Sequence, residues 1–469
     1  TSDGMSGCSD CGKCDSNGER CAPFRRKPTK YRGIRLTGEF FDCALPVAID
    51  SHSTCSFGCL YCFAGNTQGH RMGSYDKPVG QTPPAELDRI LSGGGGALGK
   101  AFRIALKREG QHEHEKRPAP WQVGALADPF DEIERAQGWL PEFAKVVAKH
   151  RQPTRMLSKG HAHLSKQHLA AFGLAPDMFW ICATIITPDD GIAAKLEVGA
   201  SPIAKRLEAL KAVHEEGVRV SVQMRPMLPG ATDATKRHPR AYAEILERAR
   251  EVGAEAVTCE AFYLPSGVRN SAARWKAMSA ALGWPVYETW QRFGKIQQCA
   301  RAPRQWTEAI MFLVRDKAHE LGMTFAVSDP TWAELGDTGC CCGLPEGDPI
   351  WGNFEKRQAK QALLDAVRGA VVSVEDYMPE WADIPLQAVF PIGIGPSRVQ
   401  RERITLATRL RERYWNNTED YRSVFRYFQG ALVPVGKTPE GNIKYRYSEQ
   451  PKCGRTFAPW FLPEYGAPR

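Results

Sequence analysis

Ser53-Thr54-Cys55-Ser56-Phe57-Gly58-Cys59-Leu60-Tyr61-Cys62-Phe63-Ala64 follows directly on the short apolar run Pro46-Val47-Ala48-Ile49-Asp50. The apolar run reads as a first strand, and the cysteines begin where that strand ends. Their C-x3-C-x2-C spacing supplies three thiolates from one loop. Three thiolates hold three irons of a four-iron cluster and leave the fourth iron open to a cofactor.

Working outward, apolar and often β-branched runs recur at Gln122 to Ala127, Thr154 to Leu157, Phe179 to Ile185, Arg219 to Met224 and Ala256 to Glu260. Helical patterns fall between them. Leu140, Phe143, Val146 and Val147 share one face, as do Ile203, Leu207, Leu210 and Val213, and then Tyr242, Ile245, Leu246 and Ala249. Regular alternation of strand and helix means a parallel α/β sheet, closed or partly closed, and the expected architecture is a partial (β/α)6 barrel of the TIM type. Ligands of such sheets gather at the carboxyl ends of the strands, where the Cys55 loop stands.

The expected organisation is a cysteine-rich leader over 1–30, the partial barrel over 31–330 and a C-terminal extension over 331–469. Gly94 to Lys100 satisfies G-x4-G-K, but Ala101 replaces the magnesium-binding hydroxyl and no strand leads in, so the segment reads as a flexible loop. A helical, Ala-rich stretch is expected from Phe354 to Arg368. With 469 residues, 42% hydrophobic and 25% charged, the composition excludes disorder and allows a large core. No apolar run approaches the roughly 18 residues of a membrane span. No signal-peptide core is visible, so a soluble, cytoplasmic protein is expected. The net charge of +9 and a pI of about 8.8 suit a polyanionic partner without requiring one. Close cysteine spacings among 15 in all serve metals better than disulfides.

The Cys55, Cys59, Cys62 run, with Tyr61 before the last cysteine, resembles the cluster loop of radical S-adenosylmethionine (SAM) enzymes. That resemblance implies a 4Fe-4S cluster whose free iron chelates SAM. Reductive cleavage then yields a 5'-deoxyadenosyl radical that abstracts a substrate hydrogen. It also implies an electron donor such as flavodoxin or ferredoxin. The segment Val123 to Glu132 resembles the Gly-to-Asp-Pro stretch of the spore photoproduct lyase-like branch, which puts Gly124 and Asp128 beside the methionine part of SAM. Asp128 as an ordinary helix cap is the other reading. Cys182 to Thr187 and Leu196 to Leu210 are similar to the same branch. By that likeness Thr184 approaches the ribose, and Glu197 and Arg206 form a charge pair near the cofactor. Ser201 as N-cap with Pro202 at the first helical position is the local reading of that helix start. Val218 to Pro229 resembles the branch's fifth strand, and Arg225 there could meet a carboxylate or phosphate. No residue matches the cysteine by which spore photoproduct lyase quenches its substrate radical, and nothing after residue 330 matches its C-terminal part.

Cys8, Cys11, Cys14 and Cys21, spaced C-x2-C-x2-C-x6-C, suit an auxiliary iron-sulfur cluster or zinc. Cys340, Cys341 and Cys342 are adjacent, and one or two of them could join Cys299, Cys453 or the leader thiols at a further site. Cys43, Cys182 and Cys259 read as core. Near the C-terminus, Arg398 to Arg413 and the aromatics Tyr414, Trp415, Tyr421, Phe425, Tyr427 and Phe428 suit phosphate contact and base stacking, or simply a helix and its core. The leading expectation is a radical SAM enzyme repairing or modifying a nucleic-acid base, in DNA or RNA. One alternative is a radical SAM enzyme acting on a peptide or small molecule with auxiliary clusters. The other is a zinc-stabilised nucleic-acid-binding protein without enzymatic activity.

Overall fold

The computed structural model describes residues 29–30, 32–37, 41–62, 79–110, 117–265, 271–286, 295–296, 299–302, 304–386, 404–420 and 423–449. Its centre is an eight-stranded sheet of β1 (Ile34–Leu36), β2 (Val47–Ile49), β3 (Trp121–Val123), β4 (Thr154–Ser158), β5 (Phe179–Thr184), β6 (Arg219–Met227), β7 (Ala256–Ala261) and β8 (Thr324–Val327). Strands β2 to β8 are parallel and stand in chain order, while β1 pairs antiparallel on the β2 edge. This is the partial TIM-type arrangement the sequence specified, lengthened by β8. Thr324-Phe-Ala-Val is too short a run to stand out as a strand, and it acquires its identity only by pairing with β7.

The pleat sends alternate residues to opposite faces. Val123, Met156, Ile181, Val222 and Val257 face the helices and join the main core. All three helical faces read from the sequence are among the buried residues of Trp139–His150, Ile203–Glu215 and Ala241–Glu251. Fully burying a side chain such as Phe143 contributes about 1.5–3 kcal/mol.

The opposite, inner face of the sheet carries Gln122, Arg155, Trp180, Cys182, Thr184, Ser221 and Gln223. The segment 338–358 covers its N-terminal half. Trp180 meets Trp351 edge-on at 5.3 Å, and its indole N–H donates to Ser221 Oγ at 2.8 Å. Gly343, at φ +78°, lies so close to β7 that an added Cβ would sit 2.9 Å from the Ala256 methyl. Cys340, Cys342, Leu344 and Phe354 therefore share one cluster with residues of the sheet. The C-terminal residues Trp415, Phe428 and Tyr445 pack with Ala333, Ala362 and Leu363 in a separate small core. No helix among the described residues is long and apolar enough to cross a membrane.

Four local expectations change. Gly94 to Lys100 is not a loop throughout, because a helix spans Gly96–Ala105 with Gly95 in the left-handed region before it. The later helix begins at Ala359, not Phe354, whose ring is instead buried against the sheet. Pro202 occupies the N-cap of Ile203–Glu215, while the Ser201 hydroxyl meets His161 Nδ1 at 2.6 Å. Cys43 is only partly buried, whereas Cys182 and Cys259 are buried.

Candidate functional site

The Cys55 loop leaves the carboxyl end of β2 and is pinned by neighbouring elements. Ser56 donates to Asp131 Oδ2 through its N–H at 2.8 Å and through its hydroxyl at 2.9 Å. Gly199 N–H donates to Phe57 O at 2.7 Å, and Leu60 N–H to Leu196 O at 2.8 Å. Arg274 donates to Cys59 O at 2.9 Å. Gly199 is required by this approach, since a Cβ there would lie 2.9 Å from Phe57 Cα. Cys59 is buried, and Cys55 and Cys62 are partly buried.

Burial, with Asp131 and Asp128 nearby, raises the Cys55 thiol well above its ordinary value. Burial also raises Cys59 to about 12, against the pull of Lys159. A metal bound here must therefore displace thiol protons. Among the described residues no three His, Cys, Asp or Glu side chains are arranged around the position of a single metal ion. A four-iron cluster is a larger body than one ion, and three thiols on a loop held from several sides suit it by donor chemistry.

Beside Cys59 stands a buried charge pair. Arg206 Nη2 lies 2.6 Å from Glu197 Oε2, with the two side chains 2% and 1% exposed. Arg206 also donates to Ser201 O at 2.7 Å and to Thr184 O at 2.8 Å, which fixes its guanidinium under the end of β5. The Tyr61 hydroxyl donates to Glu197 Oε1. Lys159, the residue after β4, places its ammonium 5.7 Å from the centre of the Tyr61 ring. Burial disfavours the Lys159 charge, but Cys59, Glu197, Asp128 and Cys62 outweigh it and raise the pKa. The site thus brings together three thiols, the two cations Lys159 and Arg206, and the buried carboxylates Glu197, Asp128 and Asp131.

Gly124 ends β3 at φ +89°, where a Cβ would lie 2.7 Å from Leu157 O. Asp128 accepts from Ser158 Oγ at 2.6 Å, Lys159 N–H at 2.7 Å and Phe130 N–H at 3.0 Å. Both of its oxygens are thereby engaged in holding the end of β4. It does not cap the helix Glu132–Gln137, a task that falls to Asp131. Thr184 Oγ1 accepts from Gln223 Nε2 at 2.7 Å, while buried Gln223 Oε1 has no partner. Arg225 pairs with Glu260.

Cys340, Cys341 and Cys342 lie apart from this site, under the inner face of the sheet. Cys8, Cys11, Cys14, Cys21 and Cys453 fall outside the described residues. Of the expected stacking aromatics, Tyr414, Trp415 and Phe428 are buried, with Trp415 donating to Ile443 O at 2.8 Å, while Phe425 and Tyr427 are partly buried. Tyr421 is outside the described residues. Sequence reasoning missed Lys159 and Asp131. Lys159 was open to discovery, because it directly follows a strand at the carboxyl end where ligands gather.

No family model matches the chain. Uncharacterised proteins of Mycobacterium tuberculosis and Mycobacterium bovis are 22% identical over 241 residues, which cover 50% of this chain. The match spans 64% of the length of these curated relatives. Among solved structures the chain is similar to a spore photoproduct lyase mutant with bound SAM and dinucleoside spore photoproduct. The TM-score is 0.42 and the identity 16%, covering 61% of this chain and 77% of that one. It is also similar to SuiB of Streptococcus suis bound to SAM, with TM-score 0.38 and 11% identity over 60% of this chain and 49% of that one.

Proposed function

We propose that the chain is a radical SAM enzyme, with Cys55, Cys59 and Cys62 holding a 4Fe-4S cluster. One observation carries this reading: the three thiols stand at the carboxyl end of a parallel strand, with Lys159 and the Glu197–Arg206 pair gathered around Cys59. When bound, the cluster and SAM supply reductive cleavage to a 5'-deoxyadenosyl radical that takes a hydrogen atom from the substrate. The chain's own part is binding and orientation. Lys159 offers an ammonium to the cofactor carboxylate. Arg206, neutralised by Glu197, holds the end of β5 so that Thr184 and Gln223 are presented together, with Gln223 Oε1 left to accept from a hydroxyl or amine. Gly124 keeps β3 and β4 close enough to leave that space.

For the substrate we propose a nucleic-acid base, with an electron donor of the flavodoxin or ferredoxin kind. Support comes from the resemblance to the spore photoproduct lyase-like branch and from the net charge of +9. Tyr414, Trp415 and Phe428 lend none, being buried. The reading places the protein in the cytoplasm, where a reducing environment keeps the thiols available.

The test is anaerobic reconstitution followed by assay for 5'-deoxyadenosine and for altered bases in DNA and RNA by mass spectrometry. Release of 5'-deoxyadenosine by the parent, with SAM affinity reduced at least about tenfold in Lys159→Met, is expected. SAM cleavage without binding or alteration of any nucleic acid would remove the base and leave the radical chemistry. Label transfer from a deuterated peptide would then favour the peptide alternative.

A further inference from the structure

The loop after β6 is locked by three buried side chains before the helix Ala241–Glu251 begins. Thr232 Oγ1 accepts from Leu228 N–H at 3.0 Å and donates to Ile186 O at 2.7 Å. Asp233 accepts from Gly230 N–H at 2.7 Å, Ala234 N–H at 2.8 Å and Trp306 Nε1 at 2.8 Å. Thr235 Oγ1 accepts from the N–H groups of Arg237 at 3.2 Å and His238 at 3.1 Å, and meets Asp189 Oδ2 at 3.5 Å. Thr232, Asp233 and Thr235 are all buried. The turn they fix presents Lys236, Arg237 and Arg240, which are exposed.

Lys236 and Arg237 form no ion pair among the described residues. Other exposed cations do, as Lys145 does with Glu142 at 2.6 Å and Lys149 with Asp88 at 2.8 Å. The nearby carboxylate of Glu244 is engaged by His238 Nδ1 at 2.6 Å and Arg248 Nη1 at 3.7 Å. Like charges held together on a fixed turn repel, and a polyanion relieves that repulsion. The turn also stands on the rim of the candidate site. Strands β2 and β6 are parallel, so the Cys55 loop and the loop 228–240 leave the same end of the sheet. Asp189, which Thr235 meets, caps the helix Asp190–Leu196, and Leu196 O at its far end accepts from Leu60 N–H of the Cys55 loop at 2.8 Å. A helix of 7 residues is about 10 Å long.

We propose that Lys236 and Arg237 bind backbone phosphates of the nucleic-acid strand whose base enters the site, a role that rests on the reading of the substrate as a nucleic-acid base. Phosphate contacts from lysine and arginine fix the register of a strand without reading its sequence. A turn held by buried residues supplies a fixed point for that purpose. The separation of about 10 Å corresponds to about three nucleotides at a rise of about 3.4 Å each. The gripped phosphates therefore flank the reacting base and lie beyond the reach of a dinucleotide.

The test is fluorescence anisotropy of the anaerobically reconstituted full chain with labelled single-stranded DNA and RNA of about 12 nucleotides, and with a labelled dinucleotide, across a range of salt. Lys236→Gln/Arg237→Gln is expected to weaken binding of the longer strands about 10–30-fold near 0.1 M salt. It should also flatten the slope of log affinity against log salt by about 1.4, two phosphates at about 0.7 each. Dinucleotide affinity and 5'-deoxyadenosine release without nucleic acid should stay at the parent level. Lys145→Gln/Lys149→Gln, which removes two exposed charges from the outer helix Trp139–His150, should bind like the parent. Unchanged affinity and slope in Lys236→Gln/Arg237→Gln, or an equal loss in Lys145→Gln/Lys149→Gln, overturns the proposal and leaves the base reading standing. A parent that binds neither DNA nor RNA removes that reading and the proposal with it. If the double variant does not fold by circular dichroism, Lys236→Gln alone decides, with an expected slope change of about 0.7.

Discussion

Glu197 is where charge and geometry meet. It pairs with Arg206, accepts from Tyr61 and lies within the field of Lys159 and Cys59. Removing its charge leaves a buried guanidinium uncompensated, so Glu197→Gln should cost roughly 3–5 kcal/mol in denaturant unfolding. Asp233 offers a pH test away from the cysteines. Burial pushes its carboxyl up to about 6, although Trp306 Nε1 donates to it at 2.8 Å. A carboxyl raised in the folded state binds its proton more tightly there than when unfolded. Its stabilising contribution is complete below the unfolded value near 4 and is lost as pH rises through about 6. Asp233→Asn should remove this fall, roughly 2–3 kcal/mol, when urea unfolding is followed across that window.

At the scale of elements, the ends of β3 and β4 set the shape of the candidate cofactor site. Gly124→Ala adds a methyl group 2.7 Å from Leu157 O at a φ of +89°. It should destabilise the chain by about 1–3 kcal/mol. It should also lower SAM affinity measured by calorimetry, since the two strand ends must part. The Cys55 loop was legible because its spacing is local, and the strand-helix alternation because each element carries its own period. Asp131 could not be read so directly. Its hold on Ser56 spans 75 residues.

For the whole molecule, the segment 338–358 covers the N-terminal half of the sheet's inner face, and Trp415, Phe428 and Tyr445 belong to a separate small core. Trp415→Ala should therefore cost roughly 3–5 kcal/mol of stability. Affinity for DNA or RNA, measured by fluorescence anisotropy where the variant is folded, should not change. The positive balance of charge is legible from composition, but a basic composition does not say which surface carries it. The central claim concerns the loop at Cys55. Its most direct test is electron paramagnetic resonance of the anaerobically reconstituted, reduced protein with and without SAM, beside the Cys55→Ala/Cys59→Ala/Cys62→Ala variant. We expect a 4Fe-4S signal that SAM perturbs, and loss of that signal with about four fewer irons in the variant. A colourless protein with stoichiometric zinc, or a signal that SAM leaves unchanged, would contradict it.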